Sequence, residues 1–407
     1  MNTVAERLSR EFWRFFSGQS VSNLGNAFSK FAVPLLVYDL TGSALHLAVI
    51  TATQYVPYLC FGLVIGAWVD RTDRKRLMVI ADVLRAVMVL SLPALWWLDM
   101  LPLWWVYTVA FVSSTLGILF NAAEFAAIPS MVPTPLLATA NGRIQASYSL
   151  MNALGPLLAG SLRTLLTLPV LFVLDAFSYL FSAFAIGGLK SEFRPANRPR
   201  RTFKEDILEG LQFVFSHPTL RSISLLLALL NFLTGTTSAQ LVLYGKQVLH
   251  ASDFQLGVLF ASGSLGVVGF SLLAGWFNQR FKPGHLILGT VFLQGVALIL
   301  FALSQNFWLS AVWWAIDNGL IMLCAISARV LRQSMVPSEL LGRVVTVAEV
   351  LAWSAIPLGG FLGAYLVEHT HNINAVYLGI GIAVLLLSLP FLMSPLGRPA
   401  LKPQEAL

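Results

Sequence analysis

The chain has 407 residues, 57% of them hydrophobic and only 11% charged, with a net charge of +7 and a mean hydropathy of +0.75. A soluble globular protein carries about 25% charged residues, so composition excludes that class and indicates an integral, all-α membrane protein. The apolar residues come in runs rather than alternating, which excludes a transmembrane barrel, and the basic residues lie in loops between runs, which argues against a nucleic-acid partner.

The N-terminus, MNTVAERLSREFWRFF, scatters charge through an amphipathic lead-in and has no small-residue cleavage site, unlike a signal peptide. A bilayer crossing needs about 20 predominantly apolar residues. Twelve stretches qualify: 14–39, 44–68, 77–98, 102–129, 140–165, 169–189, 220–248, 254–277, 284–303, 306–331, 342–367 and 372–393. Turn residues or charges punctuate each gap, as in DLTGS, DMLP, VPTP and KPG.

In chain order, the first span carries Gln19, Asn23, Asn26 and Lys30, spaced four, three and four, which makes one polar stripe. Between the second and third spans lies GAWVDRTDRKR, Gly66 to Arg76. Asp82 and Arg85, three apart near the start of the third span, are expected to join its charge network. The fourth span offers Ser113, Gly117, Asn121 and Glu124, and the fifth Gln145, Ser149, Asn152 and Pro156. Arg163 and Asp175 flank the turn between the fifth and sixth spans and are expected to pair. Residues 190–210, KSEFRPANRPRRTFKEDILEG, read as a linker running into an amphipathic helix on the membrane surface.

In the second half, Asn231, Thr234 and Ser238 repeat the polar spacing of the first span. Asp317 lies mid-span within WWAIDNGLIML and is the most deeply placed acid of the sequence. An acid there is costly and points to function: proton coupling or cation binding, a static pair with Lys30, or solvation in a wet cavity. Glu349 and Glu124 are further acids within spans. Arg329, Arg332 and Arg343 surround the turn before the eleventh span, with Asp70 or Glu339 as expected partners. Cys60 and Cys324 read as small core residues. Trp104, Trp105, Trp308, Trp313 and Trp314 read mostly as interfacial anchors. Trp353 lies deeper, where core packing or stacking on a flat substrate are both open. Glu368, His369, His371, His250 and Asp253 fall on outer loops without metal-site spacing, so no metal is expected.

Lys and Arg set the orientation. With the N-terminus inside, Arg7, Arg10, the 71–76 cluster, Lys190 to Lys204, Arg280, Lys282, Arg398 and Lys402 are cytoplasmic, and little beyond Lys246 and Arg163 faces out. This predicts a multi-pass protein of the plasma membrane with both termini cytoplasmic.

The halves repeat. SMVP occurs at 130–133 and 334–337, followed by NGRIQ and LGPLLAGSL in one case and by LGRVV and IPLGGFLGAYL in the other. Asn23 and Tyr38 match Asn231 and Tyr244, and GWFNQRFK echoes the charged loop with Asn278 where Asp70 stands. Two tandem six-span halves are the signature of a transporter rocking around a central site. The expected domains are 1–189, a linker 190–218, and 219–407.

On these residues the chain resembles the major facilitator superfamily. Gly66, Asp70, Arg71, Arg74 and Lys75 match its signature loop, while Asp73 departs from the second glycine. DRTDRKRLMVIADVLRA and VPTPLLATANGRIQASYSLMNALGPLLAG are similar to the branch of macrolide efflux proteins and the enterobactin exporter. The resemblance implies twelve helices in two six-helix bundles, with Asp70 latching against the start of the eleventh span, where the helix dipole is positive. It also implies a central cavity lined by Gln19, Asn23, Asn26, Lys30, Asn121, Asn231, Thr234, Ser238 and Trp353. GPLLAG, Gly155 to Gly160, resembles a degenerate antiporter motif.

The resulting expectation is a secondary active exporter of a small amphiphilic organic compound, a drug or siderophore. Protons or another ion drive it through Asp317, Glu124 or Glu349. It needs no cofactor and acts as a monomer in the bilayer. An importer or a lipid flippase is the alternative on the same fold, and a receptor or scaffold the alternative of another class. No Gly-rich phosphate loop ends in Gly-Lys-Ser/Thr and no cluster has catalytic spacing, so an enzyme is not expected.

Overall fold

The computed structural model describes residues 8–69, 72–133, 136–189, 203–336 and 338–397. Fourteen helices follow one another: α1 Arg10–Thr41, α2 Ala44–Val69, α3 Arg74–Trp97, α4 Leu103–Met131, α5 Leu137–Leu162, α6 Leu168–Gly187, α7 Phe203–Ser216, α8 Pro218–Ala239, α9 Leu241–Gln247, α10 Asp253–Arg280, α11 Pro283–Leu303, α12 Phe307–Met335, α13 Ser338–Thr370 and α14 Ile373–Leu392. Every expected span but the seventh corresponds to a single helix. The seventh is interrupted at Gln240 into α8 and α9. The side chain of Gln240, buried and apart from solvent, donates to the Ala44 carbonyl at 2.7 Å.

Among the described residues, ten helices are long and apolar enough to cross a membrane. The long helices α1 and α5 are not among them, because polar stripes lower their hydropathy. Their ends are nonetheless set by ordinary signals. Ser9 caps α1 by accepting from Phe12 N, and Gly42, at φ +60°, closes it in a conformation that favours glycine.

Packing divides the chain into two compact units. The first takes in α1, α2 from Thr53 onward, α3 to α6, and Ser252–Ala261 at the start of α10. Within it α1 packs on α6 and α5, and α3 on α4 and α6. Its apolar core includes Phe12, Phe15, Met78, Phe120 and Ile186. The second takes in Ser43–Ala52, α7 to α9, the rest of α10 and α11 to α14. Here α8 packs on α13, and α11 on α12 and α14. The core includes Ile223, Leu226, Val291, Leu298 and Val384.

Lipid is as apolar as a leucine side chain, so close packing and polar contacts drive helix association. In the second unit Tyr244, Phe301 and Tyr377 stack with centroids 4.5 to 5.8 Å apart. Small residues bring backbones together in both units: Gly155 of GPLLAG meets Ala27, and Gly359 meets the Phe232 carbonyl.

Several expectations are corrected. The segment expected as an amphipathic helix is α7, and its Leu211, Phe213 and Val214 pack on Leu220 and Val347, while Leu208 and Phe215 stay exposed. Cys60 is exposed while Cys324 is buried, since a membrane helix can turn apolar residues to lipid. Trp314, only 4% exposed, packs 5.5 Å from Phe301 instead of anchoring at an interface. Glu368 binds the Ser43 hydroxyl and Leu45 N at 2.6 and 3.1 Å, and His369 stacks on Tyr365. Among the described residues no group of three or more His, Cys, Asp or Glu is placed to hold a metal.

Candidate functional site

The signature loop turns from α2 into α3. Asp73, which replaces the pattern's glycine, is the N-cap of α3. Its Oδ1 accepts from Lys75 N at 3.0 Å and Arg76 N at 3.3 Å, satisfying donors that a helix start leaves open. Arg74 is buried and donates to the Ala126 carbonyl at 2.8 Å, while Lys75 Nζ reaches the Leu189 carbonyl at 2.6 Å. These two basic residues therefore bind the ends of α4 and α6. Gly66 lies in the last turn of α2, and Asp70 and Arg71 lie outside the described residues. Asn278 donates to the Ala274 carbonyl of its own helix. The side chains of Glu339 and Arg343 also lie outside the described set.

The polar stripe of α1 faces two ways. Gln19, 5% exposed, donates to Ser182 Oγ of α6 at 3.0 Å, and Asn26 accepts from Tyr179 Oη at 3.4 Å. Gln19 is thus part of the bundle interior, a correction to its reading as cavity lining. Asn23 is half-buried, and Lys30 is exposed, its amino group 3.2 Å from Asn152 Oδ1 and 5.4 Å from the Tyr148 ring centre. The side chain of Asn121 is exposed.

The largest departure from expectation is a polar cluster inside the first unit, built by α1, α3, α4 and α6. Arg163 does not pair with Asp175; it pairs with Asp253 at 3.2 Å. Asp175 lies two turns into α6, fully buried, and its carboxylate accepts from the Ser29 hydroxyl, while the Ser178 hydroxyl donates to the Asp175 carbonyl at 2.7 Å and stands 3.4 Å from Oδ1. Gly25 allows this approach, because a Cβ there would stand 2.8 Å from Asp175 Oδ1. Asp82 and Arg85 likewise leave the loop network and turn into the bundle. Arg85 Nη1 is 3.8 Å from Asp82 Oδ1, Nη2 donates to Tyr179 Oη at 2.7 Å, and the guanidinium lies 4.1 Å from the ring centre. Gly117 of α4 lies beside that guanidinium, at a distance where an added Cβ would make ordinary contact with it. Both Asp82 oxygens and Glu124 Oε1 are buried and accept no hydrogen bond. The sequence carries a signal for this cluster: Asp175, Ser178, Tyr179 and Ser182 fall at helical spacing on one face of an otherwise apolar span.

In the second unit Asp317 is 1% exposed and faces Gln294 of α11, with its Oδ1 accepting no hydrogen bond. It is as enclosed as the sequence implies, but Asp82 and Asp175 are equally so. Asn231 donates to the Ala352 carbonyl of α13 at 3.0 Å, and Thr234 to the Leu230 carbonyl of its own helix at 2.9 Å. Ser238 and Trp353 are exposed. Glu349 pairs with Arg329 at 3.6 Å, and Arg332 is buried. An apolar cavity of about 360 Å³ lies among α8, α13 and α14, lined by Phe232, Leu233, Leu362, Leu366, Val376 and Ile380.

Comparison with known proteins follows the same lines. The Major Facilitator Superfamily model matches residues 15–355 and 246–407. Macrolide efflux protein A of Streptococcus pyogenes is 25% identical over 360 residues, 87% of this chain and 88% of that protein. Multidrug efflux pump Tap of Mycolicibacterium fortuitum is 28% identical over 391 residues, 91% of this chain and 92% of that pump. Among solved structures, the nucleoside transporter NupG superposes with a TM-score of 0.79 at 10% identity, covering 96% of this chain and 100% of the other. A bacterial homologue of the iron transporter ferroportin gives 0.74 at 15%, covering 95% and 99%.

Proposed function

The chain belongs to the Major Facilitator Superfamily, and from that premise we propose that it exports an amphiphilic organic compound, a drug or siderophore, from the cell in exchange for protons. It is a multi-pass secondary transporter and not an enzyme. The observation that carries the export reading is that relatives matched over most of both chains are named for macrolide and multidrug efflux.

In this reading residues 1–189 and 219–407 form the two moving halves, with 190–218 as linker. The termini are cytoplasmic, the membrane is the plasma membrane, and the monomer is the working unit. Asn23, Lys30, Asn121, Ser238 and Trp353, whose side chains are half-buried or exposed, are the residues this reading assigns to substrate contact. Gln19, Asn26, Asn231 and Thr234 hold the helices that bear them. Gly66, Asp70, Arg71, Arg74 and Lys75 form a cytoplasmic latch, with Arg74 and Lys75 bound to the ends of α4 and α6. Asp317, Glu124 and Glu349 are the coupling acids to test. A buried carboxyl that takes and releases a proton as water access alternates links substrate movement to the proton gradient.

The test is accumulation of a macrolide and a cationic dye in cells with and without the protein. Export predicts lower accumulation in expressing cells, reversed by a protonophore. Equal accumulation across the panel contradicts it. A lipid flippase is the second reading, favoured by the apolar cavity between α8, α13 and α14.

A further inference from the structure

Charge is distributed unevenly over the first unit. Its acids within the spans turn inward: Asp82 and Asp175 are 0% exposed and Glu124 keeps an enclosed Oε1. Among the described residues of α1 to α6, Lys30 is the one charged side chain that stands exposed more than two turns from either end of its helix. It forms no ion pair with a described residue. Its Nζ lies 3.2 Å from Asn152 Oδ1, 3.5 Å from Tyr148 Oη and 5.4 Å from the Tyr148 ring centre. Its charge acts on Asp175, but the Ser29 hydroxyl, not the lysine, occupies that carboxylate. A charge kept in a membrane span without a counter-ion is costly and marks a ligand or ion path.

The helices around this cation are fixed to each other. The Ser20 and Ser147 hydroxyls meet at 2.7 Å, and two turns further on Gly155 meets Ala27. A helical side chain leans toward the N-terminus of its helix. Lys30, one turn beyond Ala27, therefore brings its amine back to Tyr148 and Asn152, which lie between Ser147 and Gly155 on α5. Asn152 is oriented as well: its Nδ2 donates to the Tyr148 carbonyl at 2.8 Å, which turns Oδ1 toward the amine. An ammonium has three N–H donors and a phenol one O–H. Asn152 and Tyr148 take two of the three, so one N–H of Lys30 and the O–H of Tyr148 remain for a further acceptor. Asn23, Gln145 and Ser149 add half-buried or exposed polar side chains, a face suited to water rather than lipid chains.

We propose that Lys30 and Tyr148 form a subsite for a carboxylate of the cargo, which accepts from Lys30 Nζ and Tyr148 Oη and supplies the missing counter-ion. This deepens the export reading above and rests on it, since it selects amphiphiles that carry an acidic group. A neutral oxygen would fill the same donors but leave the cation unpaired; a carboxylate does both. Helix association alone does not call for the lysine, because the Ser20–Ser147 and Ala27–Gly155 contacts already join α1 to α5.

The experiment compares rhodamine B, which carries a free carboxylate, with its methyl ester, which shares the cationic ring system. Binding of each to the full-length protein in phospholipid nanodiscs is read by fluorescence anisotropy, with empty nanodiscs as the blank. The wild type is expected to bind the acid roughly tenfold more tightly than the ester, the scale of one charge-assisted hydrogen bond. Lys30→Gln is expected to lose the preference, Lys30→Arg to keep it and Tyr148→Phe to reduce it. Thermal unfolding of each variant separates a lost subsite from a damaged fold. A wild type without acid preference, including one that binds neither dye, overturns the proposal, as does a preference that survives Lys30→Gln. Should Lys30→Gln not fold, a preference unmoved by Tyr148→Phe overturns it equally. Uptake of both dyes into energised inverted vesicles tests the reading beneath. If the acid binds through Lys30 but neither dye is pumped, the subsite stands and the export reading falls. If both dyes are pumped but bound alike, export stands and the subsite falls.

Discussion

Arg163 Nε stands 3.2 Å from Asp253 Oδ2, joining the C-terminal end of α5 to the first turn of α10. Each charge also complements its own helix, since a cation suits a C-terminus and an anion an N-terminus. One turn away, Gly160 and Gly257 bring the two backbones together: a Cβ on Gly160 would stand 2.8 Å from the Asp253 carbonyl oxygen. An ion pair and a glycine contact thus clamp the same crossing.

The ion pair is partly solvent-screened, with side-chain exposures of 30% and 23%. A double-mutant cycle of Arg163→Gln and Asp253→Asn is expected to give a coupling of roughly 0.2–1 kcal/mol, smaller at high salt. Thermal unfolding in detergent at two ionic strengths measures it.

The glycine contact is less forgiving. Gly160→Ala places a methyl against backbone that cannot step aside, and a loss of about 1–3 kcal/mol is expected. Gly289→Ala, in α11 with nothing within 4 Å of the new Cβ, serves as the opposite case. It is expected to be neutral or to stabilise by up to about 1 kcal/mol through helix propensity. Melting temperatures of the two variants should move in opposite directions or differ plainly in size.

Asp73 stands where the signature pattern has glycine, and it caps α3. Asp73→Ala is expected to cost about 1 kcal/mol, whereas Asp73→Gly costs only a few tenths, because glycine is tolerated at an N-cap. Equal losses in the two variants, measured by thermal unfolding, would show that the cap contributes nothing.

Arg85 is enclosed with Asp82 and Tyr179. Arg85→Gln is expected to destabilise by about 3–5 kcal/mol, because it strands buried negative charge. Adding Asp82→Asn removes part of that charge, so the double variant is expected to be more stable than Arg85→Gln alone. An additive double loss would contradict the electrostatic account of the cluster.

The spans were legible because bilayer crossing demands long apolar runs, and every run except the seventh became one helix with ends within a few residues of those expected. The break at Gln240 was not, because Leu, Val and Tyr continue the apolar run on its far side and the partner of Gln240, the Ala44 carbonyl, is remote in sequence. The pairing of Arg163 failed for a related reason. Asp175 is near it along the chain, but helix α6 turns the carboxylate inward toward Ser29, while Asp253, ninety residues from Arg163, faces it. Loop proximity misled at Asp82 as well. Its distance into α3 carries it past the charged loop and into the bundle. Position in the span was readable for Asp317, but its neighbour Gln294 on α11 was not, since nothing in one sequence says which faces of two helices meet.

The most direct test of proton-coupled export uses the purified protein alone in proteoliposomes, with a pH gradient imposed and a macrolide or cationic dye as cargo. The account predicts that cargo accumulates against its gradient only while the pH gradient lasts, and that adding cargo speeds proton movement in the opposite direction. Cargo movement indifferent to the pH gradient would contradict it.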